Sequence, residues 1–193
     1  LEQIERVIAA ARERFGRLDV LVNNAGGAPA ADAATASPRF SEAMIRLNLI
    51  APLHFAQRAN AVMQAQAEGG SIVFITSVSA FRPSPGTAAY GAAKAGLVSL
   101  AASLAVEWGP KVRLNCVAAG MVETELSHLH YGDAAGLARV AATVPLGRLA
   151  SPRDIGDACL FLASPLASYV SGSTLLVHGG GERPAFLGAV QEE

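Results

Sequence analysis

The sequence predicts a three-layer α/β/α domain built on a doubly wound parallel sheet, one domain over residues 1–193. Three observations carry that reading. Short apolar runs of strand length alternate with longer runs of helical period. The strand candidates are near-continuously apolar, as strands covered on both faces must be. The most distinctive residues fall just after strands, where ligands bind in such sheets.

Taken in order, Leu1 to Phe15 places Ile4, Val7, Ile8, Ala11 and Phe15 at helical spacing, and Gly16 ends the helix. Leu18 to Val22 is a strand, closed by Asn23-Asn24-Ala25-Gly26. After a loop to about Pro38, Phe40 to about Ala67 reads as one long helix. Ser71 to Thr76 is the next strand, followed by a Ser/Pro/Gly loop to Gly86. Thr87 to Trp108 is a helix that is apolar or small nearly all round, which predicts burial against the sheet or another subunit. Val112 to Val117 is a strand, and weakly helical sequence runs from Thr124 to Thr143. Ser151-Pro152-Arg153-Asp154 has the form of a helix start, with Ser as N-cap and Pro at N1. That helix runs to about Ala163, and Ser173 to Val177 is the last strand.

Composition excludes several function classes. The formal net charge is −1, so no basic field exists for nucleic acid or anionic lipid. No uninterrupted apolar run approaches the roughly 18 residues of a membrane helix, and the chain is expected to be soluble. Cys116 and Cys159 lie far apart and outside any C-x-x-C, which argues against a disulfide framework and for a reducing cytoplasm.

The chemistry gathers in three loops. Tyr90 and Lys94 stand four apart, on one face of a helix near its start. A phenol titrates near pH 10, and an ammonium one turn away favours its ionised form. Alone this pair is a weak signal, because a half-buried Tyr and a solvated Lys share many helices. Ser77 strengthens it, leaving the preceding strand on the side where that helix begins. The three side chains can converge on one carbonyl.

With these residues stand NNAG at Asn23 to Gly26, Asn48 in the long helix, N-x-V-x-x-G-x-V-x-T from Asn115 to Thr124, and YVSG at Tyr169 to Gly172. The chain thereby resembles the short-chain dehydrogenase/reductase family in its short, single-domain form, with a Rossmann-type sheet. The resemblance implies an NAD(P)(H)-dependent oxidoreductase interconverting a ketone and a secondary alcohol. By it Tyr90 is the acid/base, Ser77 holds the substrate oxygen, and Lys94 holds the nicotinamide ribose and lowers the Tyr90 pKa. Asn48 is similar to a helix Asn that anchors a water leading from Lys94 to solvent. Asn23, Ala25 and Gly26 would lie along the adenosine side of the cofactor, with the Asn side chains tying strands together. Gly120, Val122 and Thr124 would meet the nicotinamide, the Thr hydroxyl gripping its carboxamide. The resemblance favours 3-oxoacyl thioesters, steroids or similar ketones as substrates, leaves NAD and NADP open, and implies a homo-oligomer, a tetramer or dimer. A non-catalytic nucleotide-binding protein, an enoyl reductase and an epimerase are the competing readings.

Two positions depart from the family pattern. Ala119-Gly120 replaces the usual Pro-Gly, which frees φ and predicts a looser loop. His178 replaces a common Asp. His128 and His130 lack further ligands at recognisable spacing, so no metal is expected, and with Tyr131 they are assigned to a substrate lid. No Gly-rich turn joins a strand to a helix N-terminus, as a dinucleotide site requires. The family's first strands and cofactor-phosphate segment are therefore expected to precede Leu1 in a longer chain.

Overall fold

The computed structural model describes residues 1–189; residues 190–193, the end of the expected domain, lie outside the described residues. Four strands form one sheet: β1 (Val20–Asn23), β2 (Gly70–Ser77), β3 (Val112–Ala119) and β4 (Thr174–Val177). Every pairing is parallel, in the order β1-β2-β3-β4. The order contains no reversal among the described strands, so the expected switch in strand order does not lie between any of them.

Helices cover both faces. On one lie α1 (Glu2–Phe15), α3 (Ala51–Ala65) and α4 (Ala88–Trp108), which pack Ile8, Ala59, Met63, Leu97 and Leu104 against Ile72, Phe74 and Leu114. On the other, Leu162 of α7 (Pro152–Ala163) packs with Val73, Ile75 and Val117. Adjacent residues of β2 thus feed opposite cores, which is why that strand shows no polar alternation. The structure is the three-layer α/β/α sheet that the sequence predicts.

The expected helix from Phe40 to Ala67 is built in three parts. It begins with α2 (Pro38–Ile45), capped by the Ser37 side chain on Phe40 N, and continues through a π-helical turn over Arg46–Ile50 into α3. The widened turn leaves backbone groups to be satisfied otherwise. Asn48, fully buried within it, donates from Nδ2 to the Met44 carbonyl four residues back, at 3.0 Å.

Two helices depart from expectation in their exposure. On α1 only Ile8 is buried, while Val7 and Phe15 are exposed. On α4 one face is buried through Gly91, Lys94, Leu97, Ala101 and Leu104, whereas Val106 is 85% exposed. This helix of 21 residues is long and apolar enough to cross a membrane by length and composition, a point that counting uninterrupted apolar residues misses. Here it packs along β2 and β3 as a core helix.

The lid stretch forms two short helices, α5 (His128–Tyr131) and α6 (Ala134–Thr143). The start of α7 is a full capping box: Ser151 Oγ accepts from Asp154 N, and the Asp154 carboxylate accepts from Ser151 N. Arg148 adds a two-pronged ion pair to Asp154, which drives that carboxyl well below its ordinary pKa.

Candidate active site

The parallel sheet carries its four strand ends to one side of the molecule. Ser77 is the last residue of β2 and pairs with Ala119, the last residue of β3, which pairs in turn with Val177 of β4. The Ser77 hydroxyl accepts from Ser79 N at 3.1 Å, turning the chain into a short 3₁₀ segment. Beyond it, Ser84 donates to Ser79 and Thr87 to the Ser84 carbonyl, bracing the loop that delivers α4. A bond from Ala31 N to the Gly86 carbonyl, 2.8 Å, ties the loop after β1 to the loop after β2.

In the first turns of α4, Tyr90 and Lys94 meet this loop. The Lys94 ammonium lies 5.5 Å from the centre of the Tyr90 ring, and it donates to the Ile75 carbonyl at 2.8 Å. Thr76 Oγ1 closes the same junction by donating to the Lys94 carbonyl. Burial raises the Tyr90 pKa, with the Ser77 hydroxyl pulling the other way. The expected lowering by Lys94 is not what the structure shows. Desolvation outweighs every other influence on the phenol, and the ammonium is turned toward the backbone.

Lys94 itself is 3% exposed, and burial brings its pKa down to about 8, with Cys116 opposing. An unfolded lysine keeps its proton to about pH 10.4. Between these values the unfolded chain binds more protons than the folded one, so stability rises with pH across this window. The linkage amounts to roughly 3 kcal/mol as an upper bound. A Lys94→Met variant of the complete, cofactor-free enzyme should melt above the wild type at pH 8, with the gap shrinking by pH 10. A constant gap would show that Lys94 stays charged in the fold.

Asn48 joins the site through the loop after β1. Its Nδ2 donates to the Gly27 carbonyl at 3.0 Å, and its Oδ1 accepts from Gly27 N at 3.1 Å. With Met44 as the other acceptor, both side-chain N–H groups are engaged. Gly26 is squeezed between the two functional side chains: a Cβ there would lie 2.6 Å from Asn48 Oδ1 and 3.3 Å from Lys94 Nζ. Asn23 donates to the Pro52 carbonyl of α3, 3.4 Å away, and so ties strand to helix, whereas a tie between strands was expected. Ala25 lies in the same irregular turn and is exposed.

After β3, Gly120 N donates to the Val177 carbonyl at 2.9 Å, and a Cβ on Gly120 would lie 2.8 Å from both Cα and Cβ of His178. The two unusual positions are therefore neighbours. Ala119 is held in the ladder on both sides, so the expected loosening does not begin there. Val122 bridges to Ala150. Ser127, 3% exposed, then clamps the turn by donating to the Val122 carbonyl at 3.3 Å and accepting from Thr124 N at 2.7 Å.

Sequence reasoning missed Ser127, although a Ser three residues after Thr124 is a turn signal. Because it fixes Val122 and Thr124 together, Ser127→Ala should weaken NAD(P)H binding by the complete enzyme about tenfold, the loss of one or two hydrogen bonds. Its pH–rate profile should keep the wild-type shape. Unaltered cofactor affinity would show that the turn holds without Ser127.

The lid residues divide. His128 Nδ1 lies 3.0 Å from the Glu125 carbonyl, and the His130 ring stands 6.2 Å from that of Tyr131. Tyr131 is half-buried, which raises its pKa, and it is near enough to Tyr90, Arg82 and Glu182 for each to act on its phenol. Among the described residues no group of three His, Cys, Asp or Glu is placed to hold a metal ion.

The donors at the strand ends fit the nicotinamide and ribose half of a dinucleotide. Lys94 offers an ammonium, the Gly26 backbone packs closely against it, and Val122 and Thr124 stand in one fixed turn. A strand-to-helix Gly-rich turn for the phosphates is not among the described residues.

Comparisons with known proteins place the sequence and the fold in a family. A family model described as "Enoyl-(Acyl carrier protein) reductase" matches residues 1–182. The chain is 38% identical over 181 residues to L-rhamnose 1-dehydrogenase (NAD(P)(+)) of Azotobacter vinelandii, covering 93% of this chain and 71% of that protein. It is 33% identical to dehydrogenase/reductase SDR family member 4 of Homo sapiens, covering 93% of this chain and 65% of the relative. The structure of gluconate 5-dehydrogenase from Burkholderia cenocepacia, in complex with NADP and tartrate, superposes with a TM-score of 0.85 at 32% identity, over 93% of this chain and 70% of the other. Across the curated relatives compared, the chain spans from 31% to 71% of their length. The chain belongs to the short-chain dehydrogenase/reductase family of NAD(P)-dependent oxidoreductases.

Proposed function

We propose that this chain carries the proton-transfer half of an enzyme that interconverts a ketone and a secondary alcohol. The convergence of Ser77, Tyr90 and Lys94 at the end of β2 supports this reading most directly. A bound nicotinamide supplies or accepts the hydride. In reduction the Tyr90 phenol donates its proton to the substrate oxygen, and in oxidation its phenolate takes the proton back. Ser77 Oγ holds that oxygen as charge gathers on it. Lys94, whose pKa burial lowers to about 8, holds the ribose hydroxyls and carries a proton between Tyr90 and solvent. Asn48 acts on this relay by fixing Gly26 and Gly27 against Lys94, and any water it anchors must use its remaining Oδ1 lone pair.

The substrates named for relatives include L-rhamnose, gluconate and a 3alpha-hydroxysteroid, all alcohols on medium-sized skeletons. A 3-oxoacyl thioester or a steroid ketone remains within the class proposed here. An enoyl reductase, the wording of the matching family model, accords less well with a Tyr–Lys pair one helical turn apart. Turnover of ketones and alcohols by the complete enzyme with NADH and NADPH tests the proposal. Nucleotide binding without turnover of any carbonyl would favour the non-catalytic reading.

The working enzyme is proposed to be a cytoplasmic homotetramer. Both cysteines are free. The outer face of α4 presents Ala92, Ala95, Ser99, Ala102, Ser103 and Val106 exposed along one stripe, small enough for a second copy's helix to approach closely. Light scattering of the complete enzyme at micromolar concentration should give four chains' mass, and a stable monomer would overturn this.

A further inference from the structure

Past the end of β2 lies a cavity of about 410 Å³, lined from the loop after β2, the ends of β3 and β4, and the segment beyond β4. Val78, the residue after Ser77, is part of the lining, so the cavity begins one residue beyond the end of β2. Its volume is in the range of small-molecule sites. Val78, Phe81 and Leu176 form apolar walls, while Arg82, Glu182 and Arg183 supply charge.

Arg82 and Glu182 are a hundred residues apart in the chain yet pair at 2.6 Å, bringing the segment beyond β4 across the cavity. Each remains more than a third exposed, so the pair contributes little to stability. Arg82 also donates to the Pro83 carbonyl at 3.1 Å. A guanidinium has five N–H donors in a planar fork, so donors remain for a second anion. Counting Arg82 and Arg183 against Glu182, the charged residues lining the cavity leave one positive charge uncompensated. The half-buried Tyr131 phenol feels the charges of Arg82 and Glu182 as well as that of Tyr90.

We infer that the substrate is a medium-sized oxo acid or hydroxy acid: its reacting oxygen lies at Ser77 and Tyr90, and its carboxylate sits at Arg82 and Arg183. This rests on the oxidoreductase reading above. Glu182 competes with the substrate carboxylate for Arg82 and holds that side chain in place when the cavity is empty. The apolar walls accept the skeleton between the two ends and keep water from weakening the ionic contact.

The test is the ratio of kcat/KM for an oxo acid to that for its own methyl ester, measured on the complete enzyme over a panel of such pairs. The wild type should prefer the acids. Arg82→Gln and Arg183→Gln should each lower the ratio by about 10-fold or more, as expected for one charge-assisted hydrogen bond. Glu182→Gln should raise it, because the competitor is gone. A ratio that falls in Glu182→Gln as in the arginine variants would make the ion pair a latch alone and overturn the proposal. A wild type that prefers esters, or ratios unmoved by any variant, overturns it while the oxidoreductase reading stands. Turnover of no carbonyl compound with either cofactor would sink that reading and this proposal together.

Discussion

Replacing Tyr90 by Phe should lower kcat of the complete enzyme by at least ~10²-fold, the lower end of what a positioned acid/base contributes. NAD(P)H affinity should stay near the wild-type value. The reason lies in what the side chain touches. The ring is half-buried in the first turn of α4, beneath the Lys94 ammonium, and Phe keeps that placement. Only the hydroxyl beside Ser77 is lost. Tyr131 is half-buried, and burial holds its phenol above its ordinary pKa as it does that of Tyr90. Loss confined to kcat marks an interaction made only in the transition state. Turnover within a few fold of wild type would remove Tyr90 from the mechanism, and a parallel collapse of cofactor affinity would mean that the hydroxyl holds the cofactor. The pH–rate profile adds a second check. Burial places the phenol above its ordinary pKa while Lys94 titrates near 8, so the rise of the oxidation rate with pH should follow Lys94 before Tyr90.

Much of this architecture is legible in the sequence because local and global signals agree. Ile72, Val73, Phe74 and Ile75 must be buried on both faces, and a strand with no polar alternation says so at once. Ser151 and Asp154 spell out a helix start that the fold keeps without change. Other features are invisible in one dimension. The π-helical turn at Arg46–Ile50 arises because Asn48 turns inward to bond Gly27, a partner 21 residues away that no local propensity encodes. The ion pair of Arg82 with Glu182 joins loops that meet only once four strands are in register. Protonation was misjudged for a related reason. Four residues of spacing place Lys94 near Tyr90, but spacing alone does not reveal that Lys94 is buried and Tyr90 half-buried, and desolvation dominates both pKa shifts. Exposure on α4 followed the same limit, since apolar residues all round a helix do not say which face the sheet takes.

Gly26→Val should be as damaging as loss of Tyr90, by a different route. The first carbon of any side chain at this position would stand 2.6 Å from Asn48 Oδ1, closer than real contacts allow. Asn48 cannot yield, because it is fully buried and its amide is committed to Gly27 and Met44. Lys94 Nζ, 3.3 Å away, is held by the Ile75 carbonyl and has little room to retreat. The backbone after β1 must therefore shift, opening the Asn48 bonds or pushing Lys94 off its seat. Overpacking of this kind costs about 1–3 kcal/mol, and a broken buried amide adds a similar amount. The melting temperature of the complete enzyme should fall, NAD(P)H affinity should drop with kcat, and the ionisation near pH 8 assigned to Lys94 should move. Asn48→Ala separates the two causes: in the Gly26→Val background it relieves the clash and should restore part of the stability, but not the activity. A Gly26→Val enzyme with wild-type turnover and an unmoved pH profile would show that the contact between this turn, Asn48 and Lys94 has no part in the reaction.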